Sequence, residues 1–201
     1  MLQHSHDRRI LDLLARKGML RPSDLDAVEV PRVVLTRMTA AGRLEKVGRG
    51  LYRLPEQIGS EHNSLVAISV KVPQAVFCLL TALQFHELTT QLPRDVWIAM
   101  PRGSHVPKID YPPVRMVQSS GDAYSAGIEL KELDQVELRV YGVAKTVADC
   151  FKHRNKIGPD VALEALRDAW TQKKATVDEL WHYAQICRVE KVMRPYLETL
   201  E

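Results

Sequence analysis

Apolar residues in the N-terminal quarter of the chain recur first at helical spacing and then by alternation. Within His4 to Lys17, positions Ile10, Leu13, Leu14 and Lys17 share one helical stripe, with Asp7 expected in the first turn and Gly18 as the stop. Pro22-Ser23-Asp24 opens a short second helix that turns Leu25 and Val28 to one side. Pro31 fits the first turn of a third helix, which runs to about Ala41 and ends at Gly42. From Arg43 to Val47 charged and apolar residues alternate, as in a half-buried strand. Gly48-Arg49-Gly50 is then a tight turn, and Leu51 to Leu54 is the return strand, closed by Pro55. Three helices and a hairpin are the plan of a winged helix-turn-helix, expected over residues 1–56.

Gln57 to Ser60 reads as a linker, and residues 60–201 read as a mixed α/β domain ending in several helices, so the fold class is α+β. A helix is expected from Ser60 to Val70, with Leu65, Ile68 and Ala67 turned inward. Val76 to Leu88 reads as a short extended entry followed by a helix over Leu80 to Glu87. Strands are expected at Val96–Met100, Val114–Gln118, Ala126–Leu130 and Val136–Tyr141, the last with Val136, Leu138 and Val140 on one side. Between the first two, Pro101 to Pro113 holds four prolines and Gly103 and reads as a loop. Ser119 to Ser125 reads as a turn. Helices follow at Ala144–His153, from Pro159 to about Gln172, from a Thr176-Val177-Asp178-Glu179 capping box to Cys187, and at Glu190–Leu200, where Pro195 is an irregularity.

Composition narrows the class. With 45% hydrophobic and 26% charged residues among 201, the chain is globular rather than disordered. No apolar run reaches the length of a membrane span, and the polar segment Met1 to Arg9 does not read as a signal peptide, so a cytoplasmic protein without membrane contact is expected. Cys78, Cys150 and Cys187 are odd in number and widely spaced, so they are expected as buried, reduced thiols with no metal or other cofactor. The net charge of +3 is unevenly spread: residues 1–57 carry 11 Lys and Arg against 7 Asp and Glu, and the remainder is slightly acidic. A basic N-terminal part points to nucleic acid as its partner.

On a helix-turn-helix the second helix of the motif enters the major groove. Here that is the helix from Pro31, where Leu35 and Met38 face the core and Arg32, Thr36 and Arg37 fall opposite, beside Val33 and Ala40. Arginine bonds a guanine edge or a phosphate, and Thr36 suits either. The hairpin adds Arg43, Lys46, Arg49 and Arg53, with Arg49 at its tip between two glycines. Ser23 and nearby backbone amides, preceded by Arg21, suit a phosphate. One such domain reads a short half-site, so a dimer or cooperative assembly on DNA is expected.

The segment from Gly42 to Tyr52 resembles the wing of the AbiEi family, antitoxins and transcriptional regulators of abortive-infection (type IV) toxin–antitoxin operons, which act in phage defence. Ala75 to Thr89, followed by Leu92-Pro93 and Val96-Trp97-Ile98-Ala99, resembles the family's central signature, with Glu87 where a small residue is expected after the histidine. Val140 to Phe151 and Gly158 to Leu166 resemble its C-terminal part. The resemblance implies a winged helix bound to inverted repeats of double-stranded operator DNA in the operon's own promoter, with negative autoregulation. It also implies a C-terminal domain that counteracts a nucleotidyltransferase toxin, with or without direct contact.

The chain is therefore expected to be a repressor and not an enzyme. Two other readings stay open. Glu129-Leu130-Lys131, with Asp110 or Asp122, could serve a sequence-targeted, metal-dependent nuclease. Alternatively, the winged helix could dock protein rather than DNA. His86 in an apolar helix reads as a hydrogen-bonded core residue. Lys145, Lys152, Arg154 and Lys156 are expected to offer a second contact surface, and Trp170, Trp181 and Tyr183 to pack between the last helices.

Overall fold

The computed structural model describes the backbone of residues 2–48, 50–55, 63–91, 93–109 and 112–200, with side chains within these ranges except at 2–5 and 63. Arg49, the linker expected at 57–60, Leu92 and Asp110 lie outside the described residues. The chain divides into two units: Met1–Pro73 with Glu132–Leu138, and Gln74–Lys131 with Arg139–Glu201.

The first unit opens with α1 (Leu2–Lys17), which buries Ile10 and Leu14 completely. Because α1 begins at Leu2, Asp7 is not in its first turn as expected; it sits one turn before Ile10, on the same stripe. A 3-10 turn, Pro22–Val28, follows, and its Asp24 carboxylate accepts the Arg21 N–H at 2.7 Å and the Lys17 ammonium at 2.7 Å. Next, α2 (Val33–Ala40) buries Val34, Leu35 and Met38 in a core shared with Ile10, Leu14, Leu20 and Leu25. Gly42 stops α2 in the left-handed region (φ +68), where its own N–H bonds Thr39 O and the Arg43 N–H bonds Met38 O.

The expected hairpin forms from β1 (Glu45–Gly48) and β2 (Leu51–Arg53), antiparallel, with a register shift between Lys46 and Gly48. Leu20 extends this pair by exchanging two backbone hydrogen bonds with Tyr52, at 2.9 and 3.0 Å. The next helix, α3 (Asn63–Lys71), groups with this unit and buries Leu65, Val66, Ile68 and Ser69. Ala67, expected inward, is only half-buried, because the helix is rotated to bring Val66 into the core.

The second unit is built on a sheet. Its first elements are β3 (Val76–Phe77), α4 (Leu79–Phe85), β4 (Val96–Pro101) and β5 (Val114–Ser119). Then come the short α5 (Asp122–Ser125), within the expected turn, and the strands β6 (Ile128–Leu133) and β7 (Val136–Tyr141), whose adjoining ends, Glu132–Leu138, group with the first unit. Strand order is β5-β4-β3-β7-β6; β3 runs antiparallel to β4 and parallel to β7, and β4 runs parallel to β5. The strand expected at Ala126 starts at Ile128, because Gly127 takes a left-handed φ of +74. Asp134 and Gln135 join β6 to β7 with positive φ at both positions, the backbone a tight two-residue hairpin turn requires.

The helices α6 (Val143–Lys152), α7 (Arg154–Ile157), α8 (Pro159–Thr171), α9 (Val177–Ile186) and α10 (Glu190–Leu197) complete the unit. Between them, α4, α8 and α9 pack on α6, which therefore buries nearly all of its circumference. The capping box at α9 forms as the sequence requires: the Glu179 N–H donates to Thr176 Oγ1 at 3.2 Å and Thr176 N–H to Glu179 Oε2 at 2.8 Å. Among the described residues no helix is long and apolar enough to cross a membrane.

Candidate nucleic-acid interface

The buried stripe of α2 dictates what its other side presents. With Val34, Leu35 and Met38 inward, Arg32, Val33, Thr36 and Ala40 are exposed, Val33 to 70%. Among the described residues of the first unit nothing else covers this strip of one cation, one hydroxyl and two small apolar groups. An exposed valine between polar neighbours is what contact with a thymine methyl uses. Arg32 is held at the start of the helix by an exposed ion pair with Asp26, 3.2 Å.

Arg37 and Arg43 behave differently from the rest. Both guanidinium groups bond the one carboxylate of Asp7, Arg37 to Oδ1 and Arg43 to Oδ2. Asp7 is only 15% exposed in its side chain, so the clasp fastens α2 and the chain after it to α1. The two arginines remain partly exposed and keep donors for a phosphate, but each is aimed by Asp7.

On the hairpin, the exposed Lys46 side chain has no ion pair among the described residues, whereas Arg53 lies directly opposite Glu45 and is tied to it at 2.8 Å. With 13% side-chain exposure, Arg53 is a cross-strand brace rather than a free contact group. Ser23 is exposed at the start of the 3-10 turn. Arg21 is half-buried, with one terminal nitrogen enclosed and unbonded among the described residues. Beside it, burial raises the Asp24 carboxyl but is outweighed by the hydrogen bonds from Lys17 and Arg21 N–H, which hold it below the usual value.

The second contact surface needs correction at Lys145. Its side chain is fully buried in α6, paired with Asp149 one turn on, and its ammonium lies 3.9 Å from the centre of the Tyr141 ring. Asp149 also accepts the Cys187 thiol at 3.3 Å. Desolvation pushes that thiol up to about 12 and raises Cys78 and Cys150 well above the ordinary thiol value, so these thiols stay protonated. Lys152 and Arg154 are half-buried and Lys156 is exposed.

Glu129 and Lys131 pair with each other at 2.8 Å on an exposed strand face. His86 is half-buried and donates from Nε2 to the Tyr141 carbonyl at 2.7 Å, and burial lowers its pKa. Sequence reasoning missed Asp7, Asp26 and Glu45. The signal for Asp7 was its place on the Ile10–Leu14 stripe, and for Glu45 its register opposite Arg53.

Residues 8–55 match the family described as transcriptional regulator, AbiEi antitoxin. This segment, about a quarter of the chain, includes α2, the hairpin and both arginines of the clasp, and begins one residue after Asp7. The fold of the chain is similar to the crystal structure of the RV2827C protein from Mycobacterium tuberculosis, at TM-score 0.62 and 15% identity, over 90% of this chain and 71% of that one. No curated protein matches the sequence.

Proposed function

We propose that the protein is a non-enzymatic, cytoplasmic repressor of its own operon and the antitoxin to a nucleotidyltransferase toxin. The first unit acts as a winged helix-turn-helix: α2 enters the major groove of operator DNA and the hairpin lies along the flanking backbone. Arg32 and Thr36 contact base edges with Val33 against a thymine methyl, and Arg37, Arg43, Lys46 and Arg49 contact phosphates. Two copies bind inverted repeats, because one helix reads only a few base pairs. The second unit carries the antitoxin role.

The observation that carries the DNA reading is the uncovered face of α2, within the segment that matches regulator–antitoxins. A reporter driven by the chain's own upstream region tests it. Wild-type protein represses the reporter, and the Arg32→Ala/Thr36→Ala variant, at full expression, does not. Repression by the variant equal to wild type defeats the assignment of α2. Co-expression with the adjacent toxin gene tests the second role: growth is rescued by the double variant as well as by wild type.

A further inference from the structure

Four cations from separate stretches of the second unit line one concavity of about 1130 Å³. Arg102 comes from the turn after β4, Lys152 from the last turn of α6, Arg154 from α7, and Arg188 from the turn between α9 and α10. One carboxylate, Asp122, shares the lining, so about three positive charges are left uncompensated. The side chains of Arg102, Lys152 and Arg188 make no ion pair or hydrogen bond among the described residues, while Arg154 bonds only the Phe151 carbonyl, at 2.9 Å. Like charges gathered in one cleft repel each other, and the repulsion is relieved when an anion enters.

The lining chooses between kinds of anion. The hydroxyls of Ser119 and Ser120 add hydrogen-bond donors at the same wall. Among the described residues no aromatic ring lines the cleft, and proteins that hold a single nucleic-acid strand rely on rings for base stacking. The volume is near the upper end of the range of small-molecule sites, which run to about 1,000 Å³. One phosphate monoester brings a charge of about −2, so two or three linked phosphates balance the site.

We propose that this cleft binds the polyphosphate chain of a nucleotide. The site is separate from the DNA-reading helix and stands whether or not that helix reads DNA. Isothermal titration of the full chain with ATP and with inorganic triphosphate tests it, alongside the Arg102→Ala/Arg188→Ala variant and competition by a short single-stranded RNA with a 5′-hydroxyl. Both polyphosphates bind, and the variant weakens each by roughly tenfold per arginine removed, as loss of a charge-assisted bond implies. The variant's melting temperature is equal or higher, because repulsion has been removed. Arg188→Gln alone, at an exposed position, gives the same comparison should the double variant melt early. No binding by wild type, equal binding by the variants, or ATP binding without triphosphate binding overturns the proposal. Displacement of ATP by the 5′-hydroxyl RNA as readily as by triphosphate also overturns it, in favour of a strand site.

Discussion

Removing one partner of the Lys145–Asp149 pair leaves a charge stranded in the core of the second unit. Asp149→Leu strips the ammonium of its counterion and the Cys187 thiol of its acceptor. Lys145 is 0% exposed, so water does not replace the lost carboxylate. Breaking a buried pair on one side costs about 3–5 kcal/mol. The Tyr141 ring, 3.9 Å from the ammonium, still offers a cation–π contact of up to about 2 kcal/mol, which places the expected loss at the lower end. At roughly 2–4 °C per kcal/mol for a protein of this size, the melting temperature drops by about 6–12 °C. Calorimetry of wild type, Asp149→Leu, Lys145→Met and the double variant measures it. Both single variants are destabilised, and the double variant returns to within about 1 kcal/mol of wild type, since two apolar groups of similar volume need no partner. Single variants that each lose less than about 1 kcal/mol would refute the reasoning, because the pair would then be solvated.

Asp7→Ala releases Arg37 and Arg43 together and lowers the stability of the first unit by about 1–2 kcal/mol, above the range of a lone surface pair because one carboxylate serves two guanidinium groups, as urea unfolding will register. Gly127→Ala puts a methyl 2.8 Å from Lys145 Cβ and 2.9 Å from Tyr183 Cε1 on a left-handed backbone, and is expected to cost at least 2 kcal/mol by the same assay. Burial lowers the pKa of His86 and His153 from the ordinary 6.5. Each is held neutral by the fold, so the stability it contributes is complete above pH 6.5 and is lost as pH falls through the lower folded value. Thermal melts between pH 7.5 and 5 therefore show the second unit weakening with acid, and less steeply in His86→Gln.

What was legible in the sequence was local. The α2 stripe, the hairpin and the Thr176 capping box each follow from a few neighbouring residues and each forms, although β1 begins at Glu45 rather than Arg43 and the shift in register between Lys46 and Gly48 breaks its alternation. The placement of β3 between β4 and β7 was not legible, because local periodicity carries no information on which distant strands pair. Lys145 was misplaced for a related reason. Its sequence neighbours are the cations that follow it, whereas in the fold it sits four residues before Asp149 in a helix buried from Ala144 to Phe151. Asp7 read as a helix-start charge, and only the fold brings Arg37 and Arg43 to it. Glu87 takes a positive φ of 56 after α4, which accounts for the small residue expected there: a residue without a side chain adopts that backbone freely. The cleft of the second unit draws Arg102 and Arg188 from opposite ends of the domain sequence, beyond the reach of any motif.

The central claim is that the exposed face of α2 reads DNA. Fluorescence anisotropy with the upstream DNA and a scrambled duplex, across a salt series, measures it most directly. The account predicts tight, salt-sensitive binding that prefers the upstream sequence. That preference is lost in Arg32→Ala/Thr36→Ala, the salt slope is reduced by about 0.9 in Lys46→Ala, and Arg53→Ala leaves the slope unchanged. Equal, weak binding of both duplexes by wild type, or an undiminished preference in the α2 variant, would contradict it.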